Sequence, residues 1–251
     1  MKGLIITGLV IILAVLTGTI AKGEVLGLWL FDERQGNLAQ DSSGNGNDGT
    51  IEGATYVPGQ YGTALKFNGD DFVDIPLPQS LEGKTEEAYT VEVWVKIDKA
   101  PPADHSTIIF WHQPMVLGFT SSTGGGLYGY VGGTSKITDP DGPDRSPIGE
   151  WFHVAQTYDG KTQKLYRNGE EIASQEVAVT PSYEQVVWTI GAPEARDQMF
   201  LESAVLDELR VLNEALPPEE LGFFNRFSAV KPTGKLTTSW ANVKAGKYYG
   251  H

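Results

Sequence analysis

The chain has 251 residues, with 40% hydrophobic and 20% charged side chains, the proportions of a packed globular core and not of a disordered chain. A formal charge of −13 offers no Lys/Arg stripe for a phosphate backbone and argues against nucleic-acid binding and against adhesion to anionic membranes. The absence of cysteine excludes disulfides and a cysteine-borne lipid anchor, and 30 glycines beside 14 prolines announce a turn-rich, all-β chain.

At the N-terminus, Lys2 precedes an apolar run over residues 4–16, followed by Thr17, Gly18, Thr19 and Ala21. This is the pattern of a secretory signal, and it predicts a signal peptide over 1–21, cut after Ala21. The run is short for a membrane helix. The expected product is secreted, periplasmic or on the cell surface, with no membrane association after cleavage.

Leu26, Leu28 and Leu30 alternate with Gly27, Trp29 and Phe31 and predict a first strand that ends at Asp32. The loop DSSGNGNDGT over 41–50 follows, dense in residues that accept positive φ. Residues 63–67 and 72–75 flank Asn68-Gly69-Asp70-Asp71, a hairpin signal. YTVEVWVKID is the clearest strand, with Val91, Val93, Val95 and Ile97 on a buried face and Thr90, Glu92, Trp94 and Lys96 on a polar one.

Further strands are expected over 106–111, 115–120 and 126–131, then a Pro/Asp-rich loop. WFHVAQTYDGKTQKLYRNGEEIAS reads as strands turning at Asp159-Gly160 and Asn168-Gly169. Short strands near 186–190 and 204–212 precede a short helix opened by Pro217 and Pro218 and running to about Phe227. Residues 228–251 are basic and polar without a sustained period, and are expected to be a flexible tail. Many short strands between regular turns predict a two-sheet antiparallel β-sandwich or jelly roll.

In order, LGLWLFDE, DSSGNGNDGTI, GTALKFNGDDFVDI, YTVEVWVKI, WFHVAQTYDGKTQKLYRNGE and LDELRVLNEALPPEEL resemble the bacterial laminin-G-like (LamG-like) domains of the concanavalin A-like lectin/glucanase superfamily. The resemblance covers 24–227 and implies one jelly-roll domain. One residue departs from it: Arg167 stands where relatives usually carry a small apolar side chain, so it needs either an exposed strand end or a carboxylate partner. Fold alone assigns no function, because this sandwich carries lectins, adhesion modules and glycosidases.

Asp32 is in phase with Leu26, Leu28 and Leu30, and Asp207 with Val205, Leu209 and Val211. A carboxylate pointing with a buried face must be paired, hydrogen-bonded or coordinated. The resemblance implies a structural calcium where the first strand, the Gly/Asn loop and the last long strand meet. Asp32 and Asp207 would be side-chain ligands, with Asp41, Asn47 or Asp48 adding loop oxygens. Calcium takes six to eight oxygens, so carbonyls and water must complete the set. The other reading makes these aspartates caps on backbone amides.

No enzyme is expected. The paired carboxylates of jelly-roll glycosidases sit on one strand face, in a Glu-x-Asp-x-x-Glu run in the families resembled. Glu202 and Asp207 have the outer spacing but Ala204 holds the central place, and Glu86 and Glu87 precede a strand. No Gly-x-Ser-x-Gly elbow occurs, and His105, His112, His153 and His251 are scattered without a carboxylate cluster at zinc spacing.

Trp94 on its polar strand face, with Trp111, Tyr128 and Tyr130 on strands expected to be neighbours, forms the candidate aromatic surface for a ligand, rimmed by the loop at 139–146. Trp29, Trp151 and Trp188 are assigned to structure. The expected function is a non-catalytic carbohydrate-binding module. The alternative is a protein-binding or cell-surface adhesion module, and a glycoside hydrolase with an atypical site is less favoured.

Overall fold

The computed structural model describes residues 23–76, 88–99, 106–111, 115–120, 126–132, 135–140, 147–177, 188–193 and 199–222. The expected signal peptide, the tail, residues 223–227 of the expected helix and residues 141–146 of the Pro/Asp-rich loop lie outside them.

Two antiparallel sheets pack face to face. The first contains β1 (Val25–Trp29), β4 (Thr55–Pro58), β5 (Thr63–Phe67), β7 (Tyr89–Ile97), β12 (Trp151–Tyr158), β13 (Thr162–Arg167), β14 (Glu170–Glu176) and β16 (Ala204–Leu212). Its order is β14-β13-β12-β7-β16-β5-β4, with β1 also paired to β16. The second contains β2 (Leu38–Ala39), β3 (Gly49–Glu52), β6 (Phe72–Ile75), β8 (Ser106–Trp111), β9 (Met115–Thr120), β10 (Gly126–Val131), β11 (Ser135–Thr138) and β15 (Trp188–Ile190). Its order is β11-β10-β9-β8-β15-β6-β3-β2. The non-sequential neighbours are those of a jelly-roll sandwich. Between the sheets lies one continuous apolar core, to which Val91, Val93, Val95, Phe152, Leu206 and Leu209 contribute from one side and Val73, Ile109, Trp111, Leu117, Phe119 and Trp188 from the other.

Two sequence expectations change here. Asn68-Gly69-Asp70-Asp71 is not a hairpin turn, because β5 pairs with β4 and β16 whereas β6 pairs with β3 and β15. It is a corner between sheets, closed by the Asp71 carboxylate accepting the Asn68 N–H at 2.8 Å, with Gly69 at φ +107°. The expected helix, where described, is a single 3-10 turn over Pro218–Glu220.

The centre of the first sheet's outer face is covered, although β7 alternates as a half-exposed strand should. Residues 213–222 run back across it. The Glu214 and Leu216 backbones bracket the Thr90 hydroxyl at 2.6 and 2.8 Å, and Leu216 and Leu221 pack with Ala155, Tyr166 and Leu212. The turn at 59–63 covers Trp94, with Tyr61 edge-on to it at 5.9 Å between centroids. The cover explains why Glu92 and His153 are buried on what the sequence marks as a polar face.

Beneath this cover Glu92 collects its counter-charges. Arg210, opposite it in register on β16, donates from Nε to Oε1 at 2.6 Å, His153 Nε2 lies 3.2 Å from Oε2, and the Gly222 N–H donates at 2.9 Å. Burial alone pushes a carboxyl up, but these donors and charges outweigh it and hold Glu92 down at about 2 from an ordinary 4.5. The Gly222 contact ties the end of the covering segment to the same carboxylate.

Candidate binding face

Register places the outward-facing residues of the second sheet in a single row. Thr50 on β3 opposes Asp74 on β6, Asp74 opposes Thr189 on β15, and Thr189 opposes Phe110 on β8. Phe110 opposes Val116 on β9, Val116 opposes Tyr130 on β10, and Tyr130 opposes Lys136 on β11. At the usual 4.7–4.9 Å between strands the row is about 28 Å long, with Phe110 and Tyr130 about 10 Å apart on either side of Val116. Asp74, Phe110, Val116, Tyr130 and Lys136 are half-buried, Thr50 is exposed and Thr189 is buried.

The local sequence produces this row by simple alternation. Val73 and Ile75 point into the core and turn Asp74 outward; Leu127 and Val131 do the same for Tyr128 and Tyr130. Tyr130 packs edge-on to Tyr128 at 5.7 Å, and Lys136 Nζ stands 5.9 Å from the Tyr130 ring centroid and 5.6 Å from that of Tyr128. Burial pushes the Tyr128 phenol up to about 12 against the opposing effect of a hydrogen bond with Thr107. Apolar ring faces between a carboxylate and an ammonium match the chemistry of a sugar, whose C–H faces pack on rings while its hydroxyls take polar partners.

Of the four aromatic residues expected at a ligand surface, the structure puts one in the row and three elsewhere. Tyr130 is in it. Tyr128 shares its side of the sheet but is only 2% exposed. Trp111 is 1% exposed in the core, its ring 3.9 Å from that of Trp188. Trp94 is 6% exposed on the other sheet, between Tyr61 and His153. Phe110 was missed because a register shift between Thr107 and Ile109 resets the alternation, turning Phe110 outward and Trp111 inward. The consecutive apolar Ile108 and Ile109, both buried, are the sequence trace of that shift. Of the expected rim, Asp139 is buried and 141–146 lie outside the described residues.

The five residues expected around calcium fall into two hydrogen-bonded groups. In the Gly/Asn loop, Asp41 accepts the N–H groups of Leu28, Ser43 and Asn47 at 2.8–3.0 Å and the Ser43 hydroxyl at 2.8 Å. Asp48 accepts the Asp41 N–H at 2.8 Å, and Asn47 donates to the Leu26 carbonyl at 2.7 Å. The other group is the turn at 59–63. Asp32 accepts the Thr63 N–H at 2.9 Å, and Asp207 accepts the Tyr61 N–H at 2.8 Å.

Neither of these two aspartates points with the core face. Register shifts in β1 and β16 put Trp29 and Phe31, with Leu206 and Leu209, into the core. Leu28 and Leu30 pack instead with Tyr61 on the outside. Both aspartates therefore serve the covering turn. Among the described residues no three His, Cys, Asp or Glu side chains gather as a metal cluster. The five do not fit one ion as a set; only Asp32 and Asp207 share a location.

Arg167 finds the carboxylate partner its position demands. It points inward on β13, its guanidinium 5.7 Å from the Phe152 ring centroid and 3.1 Å from the buried Asp139 carboxylate at the end of β11.

Solved structures share this architecture. Domain 4 of AbnA, a GH43 extracellular arabinanase from Geobacillus stearothermophilus, in complex with arabinotriose, aligns with a TM-score of 0.60 at 21% identity over 79% of this chain and 96% of that one. The binding domain of Paraclostridial Mosquitocidal Protein 1 aligns at 0.62 and 14% identity, over 81% of this chain and 52% of that one. Trypanosoma rangeli sialidase aligns at 0.56 and 15% identity, this chain spanning 32% of it. At such identities the likeness is one of fold. A search of curated protein sequences finds no match. The sequence profile of the Concanavalin A-like lectin/glucanases superfamily matches residues 67–222. The chain belongs to that superfamily.

Proposed function

We propose that the protein is an exported, non-catalytic carbohydrate-binding module that holds a glycan along the outer face of the second sheet. The observation that carries this reading is the row Asp74, Phe110, Val116, Tyr130 and Lys136, in which two half-buried rings lie between polar ends. The arabinotriose complex of a domain with the same fold supports the ligand class. The secretory pattern at 1–21 supports export. A non-catalytic role is supported by the separation of the two carboxylates at glycosidase spacing: Glu202 lies 3.6 Å from Lys99, whereas Asp207 caps the turn at 59–63.

The test is titration with neutral oligosaccharides beginning with arabinotriose, on the wild type and on Phe110→Ala and Tyr130→Ala. Loss of an aromatic stacking partner is expected to weaken binding about tenfold, about 1.4 kcal/mol. Binding unchanged in both variants removes the row from the reading. The receptor-binding domain of a botulinum neurotoxin C/D mosaic, with the same fold at a TM-score of 0.56, supports a protein ligand as the second reading. A glycan array blank for a protein that still captures a surface polypeptide through Tyr130 would favour it.

Calcium is retained in the proposal only at Asp32 and Asp207, where two carboxylates hold one turn, with carbonyls and water supplying the remaining oxygens. Unfolding in EDTA, calcium and magnesium tests it. A calcium-specific rise in Tm that disappears in Asp207→Asn supports the site, and three coincident curves remove it.

A further inference from the structure

The strand spacing of the second sheet sets a repeat for any chain that lies across it. Adjacent strands stand about 4.7–4.9 Å apart, close to the advance per residue of an extended pyranose chain. A glycan laid along the row from Asp74 to Lys136 therefore places successive residues over successive strands. Register puts Phe110 on β8, Val116 on β9 and Tyr130 on β10, side by side. The two rings lie beneath residues n and n+2 of such a chain, and the smaller Val116 lies beneath residue n+1.

Stacking needs an apolar C–H face turned to the ring. Residues n and n+2 serve both rings at once only if they present the same face and are related by translation. A chain with a two-fold repeat meets this condition, because each residue is turned half a revolution from the last and every second one is restored. β-1,4-linked gluco- and mannopyranose chains take this extended form, since both linkages leave the ring equatorially. α-1,4 and β-1,3 linkages curl the chain, and residue n+2 then turns its face away from the second ring.

Tyr130 is set in place before a ligand arrives. Tyr128 braces it edge-on at 5.7 Å and itself lies against the sheet at Gly118, where a Cβ would stand 2.7 Å from the Tyr128 Cε1. The Tyr130 carbonyl accepts the Gln156 side-chain amide, which reaches it from the first sheet, at 3.1 Å. A ring fixed in advance loses little freedom on binding, and it fixes the spacing that a ligand has to match. Charge narrows the ligand further. The row carries one anion and one cation, and the whole chain has a formal charge of −13, which repels polyanionic glycans.

We propose that this face selects a neutral, extended β-1,4-linked polysaccharide with a two-fold repeat, holding every second residue on Phe110 and Tyr130. The inference rests on the glycan reading of the face and adds the linkage, the charge and the minimum length of its ligand. The shortest ligand that covers both rings is a trisaccharide.

The test is calorimetric titration of the full chain with cellobiose, cellotriose, cellotetraose and mannotetraose, against maltotetraose, laminaritetraose, arabinotriose and trigalacturonate. Affinity is expected to rise about tenfold from cellobiose to cellotriose, the worth of one added stacking contact, and little beyond it. That step needs only the wild type. Phe110→Ala and Tyr130→Ala, with folding checked by thermal unfolding, are each expected to flatten it. Mannotetraose should follow cellotetraose, and the four comparison sugars should bind at least about tenfold more weakly. Equal or tighter binding of maltotetraose, laminaritetraose or arabinotriose through Tyr130 overturns the linkage and leaves the glycan face. Equal affinity for cellobiose and cellotetraose overturns the two-ring hold. Tightest binding of trigalacturonate overturns the neutral charge. Binding of no oligosaccharide removes the glycan reading itself, and the linkage with it.

Discussion

The two outer faces of this sandwich begin from the same pattern and end in different states. β7 on the first sheet and β10 on the second both alternate core residues with larger polar or aromatic ones. On the first sheet the alternate residues, Glu92 and Trp94, are closed under the turn at 59–63 and the segment 213–222. On the second, Tyr130 is half-exposed in a row with Phe110 and Lys136. The alternation settles which residues leave the core, and the connections settle which of those reach solvent. A carboxylate on the covered face must therefore find internal partners, whereas residues on the other face are available to a ligand.

Breaking the covered face should cost most. Arg210→Met leaves Glu92 buried with only His153 and the Gly222 N–H against it. Stranding a buried charge typically costs about 3–5 kcal/mol. Denaturant unfolding is expected to show that loss in the midpoint with little change in slope. A loss below about 1 kcal/mol would mean that the cover opens readily and lets water reach Glu92.

The same carboxylate gives this face an acid signature. Glu92 is held at about 2 in the fold against an ordinary 4.5. A lowered carboxyl stabilises the fold above its unfolded value, and the contribution disappears as the pH falls from about 4.5 towards 2. The shift corresponds to about 3 kcal/mol. Between those limits the wild type should lose stability more steeply than Glu92→Gln, whose curve lacks this component. Parallel curves would place the acid sensitivity elsewhere.

How far the sequence revealed these features depended on register. The core side of β7, the turns at Asp159-Gly160 and Asn168-Gly169 and the sandwich itself follow from period-two alternation and turn chemistry, which are local. Phe110 was hidden by one shifted residue in β8, and Asp32 and Asp207 were assigned to the core side because shifts in β1 and β16 reverse the parity. Alternation is an argument about direction, and a single inserted residue reverses it for the rest of the strand. The burial of Trp94 was illegible for a different reason: Tyr61 reaches it from a turn more than thirty residues away in sequence. Tyr130 was legible as an aromatic residue on a strand expected among neighbours, and Arg167 as a charge where related domains usually carry a small apolar side chain.

A smaller effect tests whether the covering segment is clamped chiefly by its polar contacts. Leu216 is buried against Leu212, Leu221, Ala155 and Tyr166. Leu216→Ala should cost about 2 kcal/mol, the lower end for a buried leucine because one side of the site is a surface segment that can settle inward. Amide exchange should then quicken at Leu216 and Gly222, whose N–H groups hold the segment to Thr90 and Glu92, while β12 and β7 remain protected. Global acceleration instead would make the segment part of the cooperative core.

The smallest stability effect belongs to the open face, and there it is the contrast with binding that matters. Phe110→Ala and Tyr130→Ala remove half-buried rings from a surface supported from below by Trp111, Leu117 and Leu127. Their stability losses should stay near about 1 kcal/mol, well short of the 3–5 kcal/mol typical of truncating a buried aromatic. Thermal unfolding and ligand titration on the same samples give both quantities. A face built for a ligand loses affinity while barely losing stability. A loss of 3 kcal/mol or more on unfolding would mean that Phe110 or Tyr130 is held as a core residue is held, and the distinction between a covered and an open face would then fail at the residues that define it.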